Sequence, residues 1–132
     1  MPERSFTMYT LSPEYEETAR EIIGSVPDLA HLDGVPVAYL SCDKQKISKG
    51  HRIHGECIKV PEMYQAVSSY LFIIVIYEPN CTAFSDAQMK ILIEHEMRHI
   101  GIAGDKTYIV PHDIELGEFD AISDKYGEDW SR

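Results

Sequence analysis

Residues 70–100 read YLFIIVIYEPNCTAFSDAQMKILIEHEMRHI, and the rest of the chain is best read outward from them. Residues 70–78 are β-branched, aromatic or aliphatic almost without interruption. They predict a strand that is apolar on both faces and therefore central in a sheet. Pro79 and Asn80 end it. A helix over 86–100 follows with clear boundary chemistry. Ser85 and, three residues on, Gln88 make a capping-box pattern, and Gly101 stands just past the last turn. On the helical wheel Met89, Ile93 and Ile100 form the core face. Lys90, Glu94 and Arg98 form the opposite face, predicted to be solvated, with Glu94 and Arg98 spaced for an i,i+4 ion pair.

On the N-terminal side, residues 13–26 predict a helix. Pro13 suits its first turn, Glu14, Glu16 and Glu17 favour its positive end, and Pro27 closes it. Tyr15, Ala19, Ile22, Ile23 and Val26 form its apolar stripe. Residues 35–42 predict a strand, and 51–60 a weaker one at an edge, with Gly55 inside it. On the C-terminal side, a short extended piece over 107–110 leads to Pro111. A last helix over 113–126 is capped by Asp113 and stopped at Gly127, with Phe119, Ile122 and Tyr126 as its buried side. No repeat, low-complexity tract or linker interrupts the chain, and 132 residues predict one domain, 1–132. The order of elements predicts an α+β fold: an N-terminal helix, a small three- to four-stranded sheet, the helix over 86–100 and a C-terminal helix.

The formal net charge is −10. A protein that lives on phosphate backbones or anionic lipid needs a basic patch, so neither nucleic acid nor membrane is an expected partner. Cys42, Cys57 and Cys81 are odd in number and form no C-x-x-C, which argues against a disulfide framework or a zinc ribbon. Unreactive thiols in a reducing compartment are the expectation. MPERSFTMYT at the start lacks the apolar core of a signal peptide, and the longest apolar run, 70–77, is far too short for a membrane span. A cytoplasmic location follows as an expectation.

The chemistry is concentrated at residues 95–99, His-Glu-Met-Arg-His. Helix positions four apart share a face, so His95 and His99 can offer two imidazoles to one ion. Zn²⁺ accepts such nitrogens at about 2.0–2.1 Å. Glu96 is rotated roughly 100° from His95. That is too far round for a third ligand, yet close enough to act as general base toward a metal-activated water. A catalytic zinc takes three protein ligands and keeps one position open. His112 is the favoured third ligand, because Gly101 and Gly104 let the chain turn back and the residue stands just before the last helix. Asp113 and Glu115 compete, though Asp113 serves equally as an N-cap and Glu115 as first-turn charge. Tyr108 is a candidate oxyanion stabiliser, with ring packing as its plainer role. His51 and His54, on or near the predicted edge strand, could line a cleft, although surface histidines are the commoner case. His31 falls in the loop after the first helix.

The sequence resembles the phage metallopeptidases, small proteins encoded by bacteriophages and prophages. The resemblance runs through Lys59-Val60-Pro61-Glu62, the apolar strand at 70–78 and Ile93-Glu94-His95-Glu96-Met97-Arg98-His99-Ile100. It continues through Pro111-His112-Asp113-Ile114-Glu115 to the closing Tyr126-Gly127-Glu128-Asp129-Trp130. The last two pieces are its most specific part. Leu116-Gly117 departs from the pattern as an insertion. The resemblance implies a zincin-like fold with the metal helix packed under a small sheet, a peptide or protein substrate, and the host cytoplasm as location. A more distant similarity to SprT-like domains, where a histidine just before a helix completes the metal site, favours His112. The expected activity is zinc-dependent peptide hydrolysis with Glu96 as base. A non-catalytic zinc-binding interaction module is the alternative.

Overall fold

The structure, a computed structural model, describes residues 8–112 together with Ile122, Lys125, Tyr126, Trp130 and Ser131. Strand β1 (Tyr9–Leu11) leads into helix α1 (Pro13–Ser25), which begins where the Ser12 hydroxyl accepts the Tyr15 N–H at 3.2 Å. A 3₁₀ turn (Pro27–Leu32) carries the exposed His31 and connects to β2 (Val37–Cys42). A two-stranded ribbon of β3 (Ile47–Ser48) and β4 (His51–Arg52) precedes β5 (Gly55–Lys59). A single helical turn, α2 (Glu62–Gln65), then leads to β6 (Phe72–Tyr77). After a 3₁₀ turn (Glu78–Cys81) come helix α3 (Asp86–Met97) and a hairpin of β7 (Ile100–Ala103) and β8 (Lys106–Ile109).

The main sheet runs β1-β2-β6-β5, with β6 parallel to β2 and antiparallel to β5. The apolar run is thus an interior strand, as its two-faced hydrophobicity requires. Phe72, Ile74 and Ile76 face the core shared with Val37, Tyr39, Ile22 and Ile93, while Val75 and Tyr77 pack with Cys42 on the other face. The architecture is therefore a mixture of helices and small sheets, with α1 and α3 packed against each other. Among the described residues no helix is long and apolar enough to cross a membrane.

Strand β5 lies at an edge, but the predicted strand over 51–60 is broken at Ile53-His54 into β4 and β5, because β4 turns back on β3. The edge has a readable polarity. The Tyr77 N–H donates to the His54 carbonyl and the Val60 N–H to the Leu71 carbonyl, each at 2.9 Å. Bonded pairs alternate along an antiparallel ladder, so Gly55, Cys57 and Lys59 turn their backbone groups outward.

The capping box forms in full: Ser85 Oγ accepts from the Gln88 N–H at 3.2 Å, and Gln88 Oε1 accepts from the Ser85 N–H at 2.8 Å. Ser85→Ala is expected to lower stability by about 1 kcal/mol, measured as a drop in the urea midpoint with unchanged slope.

Two expectations for α3 require correction. The helix ends at Met97, and Arg98 and His99 form a turn whose N–H groups reach back to the His95 and Glu96 carbonyls. Tightening to i→i+3 bonds frees Ile100 to begin a strand. The face expected to be solvated is so only at Lys90, which is exposed; Arg98 is partly buried, and Glu94 is only 1% exposed. Its carboxylate accepts from Arg98 Nη2 at 3.0 Å, Lys125 Nζ at 3.3 Å and the Tyr126 hydroxyl at 2.8 Å. Helical periodicity reports one packing partner at a time, and here Lys125 and Tyr126 reach Glu94 from a further side. Ile122, Lys125 and Tyr126 are helical. The rest of the predicted last helix, with Asp113, Glu115 and Phe119, lies outside the described residues.

Candidate metal centre

His95 sits in the last turn of α3, its side chain 12% exposed. His99 follows two residues after the helix ends, and His112 stands three residues beyond β8. The hairpin closes the gap. At its base the Val110 N–H donates to the His99 carbonyl at 2.8 Å, and the His99 ring donates from Nδ1 to the Val110 carbonyl at 2.6 Å. This second bond commits Nδ1 as the protonated nitrogen and leaves the Nε2 lone pair for a ligand, the arrangement usual for metal-bound histidines. Gly101 opposes Tyr108 in the hairpin, and a Cβ there would come within 2.4 Å of the tyrosine ring. Glycine at 101 therefore lets that ring lie flat across the ribbon.

One ligand nitrogen from each of His95, His99 and His112 falls within 4.8 Å of the others. His95 Nε2 and His112 Nε2 are 3.0 Å apart. A tetrahedral ion with bonds of about 2.0–2.1 Å holds its donors ~3.4 Å apart, so small ring rotations bring this set to coordination distance. Three imidazoles suit a borderline-soft divalent ion. Glu96 is 4% exposed, and each of its oxygens faces one histidine, Oε2 at 4.0 Å from His95 Nε2 and Oε1 at 4.0 Å from His99 Nε2. The carboxylate thus faces the two imidazoles, and it is not one of the three converging donors.

The imidazoles open into a cleft of about 350 Å³, lined by Gly55, Cys57 and Ile58 of the edge strand and by Ile109. Gly55, read from sequence only as a weak point in a strand, has a spatial reason: a Cβ there would sit 3.1 Å from the Val75 carbonyl and 3.3 Å from Glu96 Oε2. Burial, and then the Glu96 charge, push the Cys57 thiol up to about 12. The converging donor set comprises His95, His99 and His112 and does not include this thiol. A larger cavity, about 440 Å³, lies between α1 and α3 under Glu14, Glu21 and Asp86, and no histidine or cysteine lines it.

The structure thus brings His95, Glu96, His99 and His112 together. It does not bring Tyr108 with them: strand alternation turns Ile109 into the cleft and sets the tyrosine ring over Gly101. His54 stacks on Phe84, with ring centroids 4.8 Å apart, and His51 is exposed on β4. The Val110 carbonyl was not foreseen, since a backbone acceptor leaves no mark on sequence.

No curated protein and no solved structure matches the chain. The family described as "Putative phage metallopeptidase" matches residues 7–132, essentially its whole length. That description implies a metal and a peptide or protein substrate, and a set of three histidines able to hold a metal lies within the match. The chain belongs to the phage metallopeptidase family.

Proposed function

We propose that the chain is a single-domain, zincin-like zinc peptidase in which His95, His99 and His112 hold Zn²⁺ and Glu96 is the general base. The observation that carries this reading is the convergence of three imidazole nitrogens within 4.8 Å, with the Glu96 carboxylate turned to the same space. When bound, the ion makes water a better nucleophile and draws charge from the scissile carbonyl. The residues do the rest. Glu96 accepts the proton of the attacking water and passes it to the departing amine. Its burial beside Gly55 holds its rotamer. The outward-facing N–H and C=O groups of Gly55, Cys57 and Lys59 receive an extended peptide as an added strand. Free thiols at Cys42, Cys57 and Cys81 suit a reducing host cytoplasm.

The test is metal stoichiometry. After equilibrium dialysis against buffered zinc, wild-type protein is expected to carry one zinc per chain by elemental analysis. A His95→Ala/His99→Ala variant is expected to carry almost none. Equal, negligible zinc in both proteins would remove the metal and the reaction with it.

A further inference from the structure

Tyr126 and Trp130 take no part in the chemistry proposed above, yet each is tied to α3. Toward the end of the helix, the Tyr126 hydroxyl and the Lys125 ammonium both donate to Glu94 Oε1, at 2.8 and 3.3 Å. Glu94 is the residue immediately before His95. Toward the start of the helix, Gln88 Nε2 donates to the Trp130 carbonyl at 3.1 Å, while Gln88 Oε1 serves the capping box. Residues 88 and 94 are about 9 Å apart along a helix axis, so the two ties are separated by about half of its length. The Trp130 ring lies 6.0 Å from Phe84 and 6.3 Å from the His95 imidazole, centroid to centroid. Both separations lie in the range where aromatic rings attract. Phe84 is itself backed by His54.

We infer that Tyr126 and Trp130 form a strap that positions His95 for the metal. Tyr126 anchors the strap on Glu94, and the Trp130 ring is a wall that limits the swing of the imidazole. His99 is aimed by a hydrogen bond to a backbone carbonyl. The Trp130 ring adds a packing contact to His95, and groups behind a ligand that fix its orientation govern metal affinity as surely as the ligand itself. The inference rests on the metal reading above.

The chain contains one tryptophan, so its fluorescence reports on the strap alone. Wild type, Trp130→Ala, Trp130→Phe and Tyr126→Phe would be titrated with zinc against a chromogenic chelator and with Co²⁺ by visible absorption, their folding checked by thermal melting. Trp130→Ala is expected to weaken zinc by about tenfold or more and to alter the Co²⁺ bands, with Trp130→Phe restoring most of both. Tyr126→Phe is expected to weaken zinc in the same direction and to red-shift Trp130 emission, and it carries the test should Trp130→Ala fail to fold. Variants that melt earlier but bind zinc as tightly as wild type, with identical Co²⁺ spectra, would overturn the strap and leave the metal reading standing. A folded wild type that binds neither ion would overturn both.

Discussion

Replacing Glu96 with glutamine is expected to lower peptide hydrolysis by about 10²–10⁴-fold, the range lost when a positioned general base is removed, while zinc stays bound. Glutamine keeps the size and one hydrogen-bonding oxygen of the carboxylate but cannot take a proton from water at neutral pH. The separation of effects follows from position. Glu96 lies 4.0 Å from both His95 Nε2 and His99 Nε2 and is not a member of the ligand set. The measurement pairs kcat/KM on a mixed peptide pool with zinc content after dialysis. Hydrolysis that persists in Glu96→Gln would remove the general base from the mechanism. A wild type that binds zinc and cleaves nothing, indistinguishable from Glu96→Gln, would point to a binding module.

Glu94→Ala is expected to cost about 3–5 kcal/mol of stability, the penalty for breaking a buried ion pair from one side. The loss falls on Arg98, whose side chain is only 10% exposed and whose remaining carboxylate partner is Asp28 at 3.8 Å. Lys125, with a side chain 47% exposed, can return to water and adds little. Glu94→Gln keeps an acceptor for the Tyr126 hydroxyl and is expected to cost less. In a domain of this size the alanine variant should melt about 10 °C lower or more. Urea denaturation of the two variants beside wild type decides it, and an alanine variant within 1 kcal/mol of wild type, on the order of an exposed pair, would show that the carboxylate is not supporting the C-terminal contacts.

The elements legible in sequence are those whose physics is local. The run at 70–78 reads as an interior strand because of its apolar surface on both faces, and Phe72–Tyr77 form it, while Glu78 already begins the 3₁₀ turn. The helix start was legible because a capping box is written in side chains. His95, Glu96 and His99 were legible because helical spacing converts directly into a shared face, even though His99 lies just beyond the last helical residue. What escaped was set by tertiary cover or by backbone. The burial of Glu94 depends on a segment some thirty residues away. The short strand β1 depends on pairing with β2 across residues that carry no strong alternation. Tyr108 was a candidate oxyanion stabiliser with ring packing as its plainer role, and the plainer role is the one seen: its ring lies over Gly101, and its neighbour Ile109 enters the cleft.

The hairpin that joins His99 to His112 is fastened where it begins and ends, by the reciprocal bonds between His99 and Val110. Its far end turns at Gly104, with φ +64°, in residues open to solvent. The tip residues, Ala103 to Lys106, belong neither to the ligand set nor to the lining of the cleft. Adding the same number of residues to each arm, in pairs that preserve the alternation of faces, would deliver the third imidazole to the same point, and loop closure grows only slowly more costly with length. The tip is therefore a natural place to graft a tag or a recognition sequence, and the interval between the second and third histidines is a poor guide to whether a related chain binds metal.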